Sequence, residues 1–581
     1  MDTLHIDPAI IEKAKRWTTE VFDPETRSAV QAMLNNPGEE LVDAFYQDLE
    51  FGTGGMRGIM GPGTNRMNRY TIGMSTQGLA NYLKMNFPGK SLKVAIAYDC
   101  RNNSPEFARI CANVLTGNGM EVLLFESLRP TPELSFAIMH YGCTSGIMIT
   151  ASHNPKEYNG FKVYWNDGAQ LVPPHDVKVV EHARSIRSVE EVIWEGDAAR
   201  VRILGHETDK AYIDMVCSLG LVSRAMMEQY GDMPVVYSPL HGTGTRIAPE
   251  ALRAFGFKNI YTVASQSVPD GNFPTVVSPN PEEGEALTLA IALAEEKGAD
   301  LVLATDPDSD RVGIAIRDNS GKFRLMNGNQ TAVIILYYLL EQWKSNGKLN
   351  GKQYLVKTIV TTYLIDKIAE YYGVECFNVL TGFKYIAEVI RDLEGVKQYI
   401  AGGEESYGLM IGDQVRDKDA ISACCIIAEA AIWARSRSMT LYQMLQSVHA
   451  KFGLFQEHLI SITKKGKSGA DEIKAMMERF RNQPPDKLAG AAVAEVRDFR
   501  TGIITSIATG ASRPTGLASS NVLQLQLSDG SLITMRPSGT EPKIKFYFSV
   551  NGTWNQQTES YEDAVARLKD YIKQIIKDLN I

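Results

Sequence analysis

The feature of this sequence that most limits its possible folds is a repeated pattern. A short apolar run ends in Gly, Asp, Ser or His, and a longer helical pattern follows it. The runs are LKVAIAYD, MEVLLFES, SGIMITAS, MPVVYSPL, ADLVLATD and KQYIAGGEES. This alternation is typical of βα units. Because parallel strands end at one edge of a sheet, we expect the loops after these strands to carry the chemistry of an α/β protein.

The pattern changes along the chain and predicts four domains. With 581 residues, the chain is long enough for three to five domains of roughly 100–200 residues each. We predict three consecutive βα-type domains with mixed sheets at 1–215, 216–326 and 327–453. The segment 454–581 contains EHLISIT, a helical stretch, VLQLQLSDGSLITMR and IKFYFSV. It is predicted to form a smaller α+β domain.

Composition excludes several classes of protein. The net charge of −8 and the charged fraction of 22% fit neither a disordered acidic chain nor a protein with a broad basic surface for nucleic acid. No apolar run approaches the roughly 18 residues needed to span a bilayer, and the N-terminal segment has no signal-peptide core. The seven cysteines contain no CxxC pair. We therefore expect a cytoplasmic protein with no nucleic-acid or membrane partner.

A candidate nucleophile follows the apolar run GIMIT. The sequence TASHNP places Ser152 in a predicted tight turn, with His153 next to it and Lys162 in the following NGFKVYW. Ser, Asn and Pro are also ordinary turn residues, so the local alternative is a turn with no function. His and Lys are residues that can activate a weak hydroxyl nucleophile. The segment lacks the glycines of a GxSxG elbow, which argues against a serine hydrolase.

A candidate metal site follows the run LVLAT. Asp306, Asp308 and Asp310 alternate in the sequence DPDSDR. Three carboxylates directly after a buried strand would repel one another unless a cation or an Arg neutralised them. Hard oxygen ligands favour Mg²⁺, although a solvated acidic turn is the alternative. An EF-hand loop is excluded, since Arg311 and Arg317 occupy the positions where it needs Gly and Glu.

Three further loops contain groups suited to phosphate or sugar. RPSGTEPK, with Arg536 at its start, combines Arg, two hydroxyls and a permissive Gly, which are the components of a phosphate cradle. GGEESYG offers the acceptors Glu404 and Ser406 between glycines that allow close approach to a ligand. GTGGMRG offers Arg57 but lacks the GK[ST] ending of a P-loop. Each of these loops could equally be an ordinary surface turn.

The sequence partly matches two nucleotide-binding motifs. The two Gly-Lys-Ser triplets of the chain lack the upstream Gly of a Walker A motif, which excludes a P-loop. The run Gly242-Thr243-Gly244 begins like a dinucleotide fingerprint, but Ile247 stands at the third Gly position. An NAD-dependent oxidoreductase is therefore a distant alternative.

Taken in order, GTGGMRG, TASHNP, DPDSDR, GGEES and RPSGTEPK resemble the loops of the α-D-phosphohexomutase superfamily over nearly the whole chain. The details are most similar to its long phosphoglucomutase and phosphopentomutase branch, which FPTVVSPNPEEGEAL, TGFKYI and the VRDKDA segment also resemble. The resemblance implies three βα domains and a smaller C-terminal domain around a central active-site cleft.

The resemblance also implies roles for individual residues. It makes Ser152 a phosphoserine whose phosphate completes a Mg²⁺ site with the three aspartates. It implies proton transfer by Lys162, with less support for His153. Arg57 is implied as a further catalytic residue, which assists around the reacting groups. The residues implied to bind substrate are Glu404 and Ser406 on sugar hydroxyls, Arg536, Ser538, Gly539 and Thr540 on the distal phosphate, and Arg311 and Lys384 around the reacting groups.

The function implied is interconversion of a hexose 1-phosphate and a hexose 6-phosphate through a sugar 1,6-bisphosphate. Phosphoryl transfer needs alignment and charge neutralisation, which Mg²⁺, Lys and Arg supply. TASHNP and GEES are more similar to hexose phosphate enzymes than to amino-sugar mutases, so glucose phosphate is the first choice. Mannose and pentose phosphates follow. A non-catalytic sugar-phosphate-binding protein is a distant alternative, because no nucleophile or metal ligand is missing.

Overall fold

The computed structural model describes residues 6–52, 55–464, 466–538 and 542–581. Three mixed sheets with helices and a β-rich C-terminal sheet follow one another along the chain. This confirms the predicted fold class. Each sheet lies within one of the four predicted domains, whereas helix His206–Ser218 spans the predicted boundary after residue 215. The boundaries themselves stay a prediction.

The first sheet contains seven strands in the order β1-β2-β6-β5-β3-β4-β7. Its strands are β1 Phe51–Gly52, β2 Gly55–Ile59, β3 Lys93–Tyr98, β4 Glu121–Phe125, β5 Ser145–Ile149, β6 Tyr158–Trp165 and β7 Val201–Leu204. The helices are α1 Pro8–Arg16, α2 Pro24–Asn35, α3 Glu39–Phe45, α4 Arg69–Asn86, α5 Ser104–Gly117, α6 Thr131–His140 and α7 His175–Ser185. Strand β6 runs antiparallel to β5 and β2, and the TASHNP turn joins β5 to β6.

The second sheet has the order β12-β11-β10-β8-β9, in which β10 pairs in parallel with β8 and antiparallel with β11. Its strands are β8 Val235–Ser238, β9 Ile260–Thr262, β10 Leu301–Thr305, β11 Val312–Arg317 and β12 Phe323–Met326. The helices are α8 His206–Ser218, α9 Arg224–Tyr230, α10 Gly244–Phe255 and α11 Thr288–Lys297. The DPDSDR loop turns the chain from the buried β10 into β11.

The third sheet has the order β14-β13-β15-β16. Its strands are β13 Gln353–Thr358, β14 Glu375–Val379, β15 Gln398–Gly403 and β16 Leu409–Ile411. The helices are α12 Gly328–Ser345, α13 Leu364–Tyr372, α14 Phe383–Leu393, α15 Ala420–Arg435 and α16 Leu441–Phe452. The GGEES loop joins β15 to β16.

The C-terminal sheet is antiparallel, with the order β17-β24-β23-β22-β19-β20-β21 and β18 attached to β19. Its strands are β17 Leu454–Thr463, β18 Lys487–Leu488, β19 Ala491–Asp498, β20 Ile503–Ser506, β21 Ser512–Pro514, β22 Leu523–Leu527, β23 Leu532–Pro537 and β24 Lys543–Gly552. The helices are α17 Gly466–Asn482 and α18 Tyr561–Leu579.

Helix α15 is part of one apolar core to which the second, third and fourth sheets all contribute residues. Its sequence AISACCIIAEAAIWAR is apolar on nearly every face, and all but its last residue are buried, as expected for a helix enclosed on all sides. The helix begins after Asp419, whose carboxylate accepts hydrogen bonds from the backbone N–H groups of Ile421 and Ser422. This cap fixes the adjacent Lys418, which reaches the candidate site. None of the helices in the described part of the chain is long and apolar enough to cross a bilayer.

Candidate active site

Two of the predicted loops meet where strands of different sheets end. Ser152 follows β5 of the first domain and lies against the DPDSDR loop that follows β10 of the second domain. The Ser152 Oγ donates a hydrogen bond to Asp306 Oδ2 over 2.6 Å. A cross-domain contact of this kind is not visible in the separate motifs, and it brings the predicted nucleophile and the predicted metal ligands into one site.

Ser152 occupies an unusual turn. Its φ is 52°, in the left-handed region where residues other than Gly, Asn and Asp are uncommon. Its backbone N–H donates to Thr150 Oγ1 over 2.8 Å, and its Oγ lies 3.2 Å from His153 Nδ1. The strained turn therefore directs the hydroxyl toward the aspartates and the imidazole.

The three aspartates form a buried cluster. One carboxylate oxygen from each of Asp306, Asp308 and Asp310 lies within 4.8 Å of the others. The loop turns back through Ser309, whose φ is 54°. Asp306 Oδ1 accepts hydrogen bonds from the backbone N–H groups of Asp310 and Arg311 over 3.1 and 3.0 Å. The carboxylates thus converge because the backbone of the loop is itself held by one of them.

Two lysines neutralise part of this charge. Lys162 Nζ donates to Asp308 Oδ2 over 2.7 Å and to Asp310 Oδ2 over 3.3 Å. Lys418 Nζ lies 3.2 Å from Asp310 Oδ2 and 2.9 Å from Asp417 Oδ1. Burial by itself would lower the pKa of each lysine, but the facing carboxylates outweigh it and raise both pKa values. Both lysines are therefore cationic at neutral pH.

The three aspartates differ in how their charge is compensated. Burial, together with the charges of Asp308 and Asp310, raises the pKa of Asp306 well above its usual range. Burial also disfavours ionised Asp308 and Asp310, but Lys162 and Lys418 overcome this effect and lower both pKa values. A divalent cation held by the cluster would oppose this effect on Asp306, because positive charge favours the ionised carboxylate.

The donor set fits a hard divalent cation. Among the described residues, no hydrogen-bond donor reaches Asp308 Oδ1 or Asp310 Oδ1, although both atoms are buried. Buried carboxylate oxygens without a partner are costly. Oxygen ligands of this kind suit Mg²⁺. The three aspartates could therefore hold such an ion beside the Ser152 hydroxyl.

Two arginines and His153 complete the surroundings of Ser152. Arg57 Nη1 donates to Asn154 Oδ1 over 2.8 Å, and Arg311 Nη1 donates to Glu282 Oε1 over 2.5 Å. Burial and the nearby arginines lower the pKa of His153 well below its usual range, so its imidazole is neutral. A cavity of about 220 Å³ lies next to Ser152. Its lining includes Arg57, Ser152, Lys162, Asp310, Arg311 and Lys418.

A second cavity of about 580 Å³ is lined by the predicted sugar loop and by Arg536, the first residue of the predicted phosphate loop. Glu404 and Ser406 line it from the third domain, and Arg536 and Lys545 line it from the C-terminal domain. Glu404 Oε1 accepts a hydrogen bond from the backbone N–H of Gly382 over 2.9 Å. Arg311 lines both cavities. The cavity next to Ser152 and the cavity next to Arg536 therefore share one cationic side chain.

Some predicted site residues lie elsewhere. Lys384 is not among the residues that line either cavity; its Nζ lies 3.5 Å from Asp176 Oδ2 of the first domain. Ser538 lines a separate cavity of about 440 Å³ between α17 and β23. Gly539 and Thr540 lie outside the described residues. The proposed roles of these four residues stay predictions.

The structure also adds residues that were absent from the predicted site. Lys418 lies in the VRDKDA segment, which the family resemblance included without a role, and it contacts Asp310. Thr131 Oγ1 donates to Asp308 Oδ2 over 3.0 Å. Arg101 contacts the backbone of the Ser152 turn. Thr131 and Arg101 have no signal in a local motif, because only the fold brings them to the site.

Comparisons with known proteins show the family of this chain. Family models described as phosphoglucomutase/phosphomannomutase, alpha/beta/alpha domains I, II and III, match residues 48–190, 210–321 and 327–452. A phosphoglucomutase from Staphylococcus haemolyticus is 36% identical over 533 residues, which cover 91% of this chain and 94% of the relative. The chain belongs to the phosphoglucomutase/phosphomannomutase family of the α-D-phosphohexomutase superfamily. A phosphoglucomutase from Staphylococcus aureus strain USA300 is 38% identical over 521 residues, covering 87% of this chain and 90% of the relative.

Solved structures show the same fold. Phosphoglucomutase (pp63/parafusin) from Paramecium, in its open form, has a TM-score of 0.66 at 17% identity and covers 92% of this chain and 96% of its own. A phosphoglucomutase/phosphomannomutase family protein from Burkholderia thailandensis has a TM-score of 0.63 at 18% identity, covering 91% of this chain and 97% of its own. Family membership makes this protein an enzyme, a phosphohexose mutase of the intramolecular phosphotransferase class.

Proposed function

We propose that this mutase interconverts glucose 1-phosphate and glucose 6-phosphate through a phosphoserine at Ser152 and a glucose 1,6-bisphosphate intermediate. The observation that carries the proposal is the 2.6 Å contact between Ser152 Oγ and Asp306 within a buried cluster of three aspartates. A hydroxyl at such a position is suited to carry a phosphoryl group beside a divalent cation.

The two half-reactions use the same groups. The phosphoryl group leaves the Ser152 oxygen and bonds to a free sugar hydroxyl, which gives the bisphosphate and an unmodified serine. The hydroxyl loses a proton and the Ser152 oxygen gains one, so the step is balanced. Lys162 is cationic beside Asp308, which suits it to donate the proton to Ser152. Neutral His153 lies 3.2 Å from Ser152 Oγ and is a second candidate for proton transfer.

The sugar then turns round, and its other phosphate returns to Ser152. We assign the sugar hydroxyls to Glu404 and Ser406 and the distal phosphate to Arg536, because all three line one cavity of about 580 Å³. Ser538, Gly539 and Thr540 are proposed to assist Arg536 from the same loop. Arg57 and Arg311 are proposed to balance charge around the transferred group, and Lys384 to bind substrate after the domains move.

The proposed cofactor is Mg²⁺, held by the three aspartates together with a phosphate oxygen on Ser152. When bound, the ion supplies positive charge beside the transferring phosphoryl group. Sugar 1,6-bisphosphate is the proposed activator, because it can phosphorylate an unmodified Ser152. All seven cysteines are free thiols, which fits the proposed cytoplasmic location.

The test is a comparison of kcat/KM for glucose, mannose and ribose 1-phosphates with the bisphosphate present. We expect glucose 1-phosphate to give the highest value. A higher kcat/KM for mannose or ribose 1-phosphate would leave the proposed mechanism in place but would change the assigned sugar. The Ser152→Ala protein serves as the blank, and turnover equal to wild type in that protein would overturn the mechanism.

A further inference from the structure

Arg101 holds the backbone of the phosphoserine turn. It follows β3 and is 1% exposed. Its guanidinium donates hydrogen bonds to four carbonyl oxygens, those of Ser152 and Asn154 over 2.5 Å each, Pro155 over 2.8 Å and Tyr158 over 3.0 Å. A planar guanidinium with several fixed donors can bridge such a set, whereas a lysine ammonium cannot match its geometry.

A second network ties the start of the turn to the same arginine. Asp99 Oδ2 lies 3.3 Å from Arg101 Nε and accepts a hydrogen bond from Thr150 Oγ1 over 2.7 Å. Thr150 Oγ1 in turn accepts from the backbone N–H of Ser152. Both the N–H and the carbonyl of Ser152 are therefore linked to the Asp99–Arg101 pair, which stabilises the left-handed conformation of the residue.

The other side of Arg101 packs on the second domain. Its guanidinium carbon lies 5.1 Å from the centre of the Phe273 ring, which is buried. The neighbouring Asn102 Nδ2 donates to Asn272 Oδ1 over 3.2 Å. A Cβ atom at Gly271 would lie 2.5 Å from the Asn102 nitrogen, so the two backbones are in close contact there. The arginine thus lies between the phosphoserine turn and a loop of the metal-binding domain.

That loop is connected to the aspartates through the SPLHGTG segment, whose glycines resemble the start of a dinucleotide fingerprint. The His241 ring nitrogens lie 3.0 Å from the Val268 carbonyl oxygen and 2.9 Å from Thr275 Oγ1. Two residues later, the Thr243 N–H donates to the Pro307 carbonyl oxygen over 2.8 Å. The segment therefore joins the Phe273 loop to the DPDSDR loop.

We propose that Arg101 is a positioning residue that, through Phe273 and the SPLHGTG segment, sets the place of the phosphoserine turn relative to the aspartates. The inference rests on the proposed function, because it requires Ser152 to carry the phosphoryl group. A phosphorylated Ser152 has lost the hydroxyl proton that it donates to Asp306. The turn must then be held through its backbone, and Arg101 binds that backbone from the side of the metal-binding domain.

The first test is Arg101→Lys, which keeps the charge but cannot bridge the carbonyl groups. A displacement of the reacting atoms by about 1 Å can reduce a rate by roughly 100-fold. We expect kcat to fall by about 10- to 100-fold in both directions, with KM and the Mg²⁺ concentration for half-activation within about threefold of wild type. We also expect the partition of label from ³²P-labelled Ser152 to change. Compared with wild type, the variant should transfer a larger fraction to water and a smaller fraction to glucose 1-phosphate. A merely structural role would not change this partition.

The second variant, Phe273→Leu, removes the aromatic face and retains an apolar side chain. We expect kcat to fall by about three- to tenfold, and by less when Arg101 is already Lys, since contacting residues are not additive. Phe323→Leu is the matched control, because Phe323 forms the same type of contact with Arg317, at 4.3 Å, away from the site. The control should leave kcat and the partition of label unchanged.

The outcomes separate the two proposals. A wild type that carries no label on Ser152 would overturn the proposed function and this inference with it. If the wild type does carry label on Ser152, but Phe273→Leu and Arg101→Lys have the same kcat and the same label partition as wild type, this inference alone is overturned. If Arg101→Lys fails to fold, Phe273→Leu decides, and equality with Phe323→Leu then counts against the proposal.

Discussion

At the level of single residues, the site contains buried charges that are unfavourable unless groups of opposite charge compensate them. Three buried carboxylates face two lysine ammonium groups, and two carboxylate oxygens have no hydrogen-bond donor among the described residues. Burial and repulsion from Asp308 and Asp310 raise the pKa of Asp306 well above its usual range. The same repulsion makes the cluster receptive to a divalent cation.

The first residue-scale prediction is that Ser152→Ala abolishes turnover and phosphorylation but keeps the fold. Alanine has the same φ cost at this position, and the lost buried hydrogen bond to Asp306 is worth about 0.5–1.5 kcal/mol. Intact-protein mass spectrometry and phosphopeptide mapping measure the modification, and circular dichroism checks the fold. A Ser152→Ala protein that still incorporates phosphate would show that another residue is the carrier.

The second residue-scale prediction is that Asp308→Asn weakens Mg²⁺ binding. Asp308 Oδ2 already binds Lys162 and Thr131, so Oδ1 is the oxygen available to a metal. An amide removes the negative charge, and we expect the Mg²⁺ concentration for half-activation to rise by about 10- to 100-fold. EDTA should inactivate the wild type reversibly. The control is Asp300→Asn, an exposed carboxylate that pairs with Arg317; full wild-type activity after complete chelation would contradict the metal assignment.

At the level of elements, the sequence predicts where strands end, but it does not predict which residues of other domains contact the loops that follow them. The runs GIMIT and LVLAT correspond to β5 and β10, and the loops after them contain Ser152 and the aspartates, because burial and turn residues are local properties. Lys418 was missed because its position depends on the Asp419 cap and on the packing of the buried α15. Lys384 was placed by resemblance alone, and the structure pairs it with Asp176. Contacts between domains have no local signal in one sequence.

The element-scale prediction concerns Glu405 of the GGEES loop. Burial, with the neighbouring charge of Glu404, raises the pKa of Glu405 to about 7 from 4.5. Its carboxyl accepts a hydrogen bond from Thr358 over 3.2 Å, and Lys545 is the nearby cation. A carboxyl with a raised pKa stabilises the folded state fully below pH 4.5 and loses this contribution as the pH rises through about 7.

Glu405→Gln should remove this dependence. Relative to the variant, the wild type should lose thermal stability between pH 5 and pH 8, by about 1–3 kcal/mol in the free energy of unfolding. Scanning calorimetry of both proteins at several pH values measures the difference. Glu388→Gln, an exposed carboxylate of α14, is the control. Parallel stability curves for wild type and Glu405→Gln would contradict the assigned pKa.

At the level of the whole molecule, one cavity is lined by residues of all four domains. The cavity that contains Glu404, Ser406 and Arg536 is also lined by His153 of the first domain and by Glu282 and Arg311 of the second. A sugar phosphate bound there would contact groups from every domain at once. We expect such binding to bring the domains closer together, and closure would exclude water that could hydrolyse the proposed phosphoserine.

The last prediction tests this arrangement through Arg536. Its guanidinium can engage two oxygens of the distal phosphate, and charge-assisted hydrogen bonds of this kind contribute about 1.5–3 kcal/mol each. Because the same cradle would hold the 6-phosphate in one half-reaction and the 1-phosphate in the other, Arg536→Ala should raise KM for both sugar phosphates. We expect kcat/KM to fall by roughly 10²-fold or more. Phosphorylation of Ser152 by the bisphosphate should still occur. Small-angle scattering should show a compaction on addition of glucose 1-phosphate that the variant lacks.

The control for Arg536 is Arg513→Ala, in the same domain. Arg513 is 54% exposed and pairs with Glu495, so its loss removes the same charge without touching the cavity. Arg536→Lys keeps the charge but not the planar pair of donors, and we expect it to recover only part of the activity. A KM that rises for only one of the two sugar phosphates would mean that Arg536 binds a single phosphate position, which contradicts a shared cradle. Unchanged kcat/KM in both directions would show that Arg536 does not belong to the site. If kcat/KM falls but glucose 1-phosphate causes no compaction of the wild type, the phosphate-binding role of Arg536 stands and closure is rejected. Binding and domain movement would then be separate events.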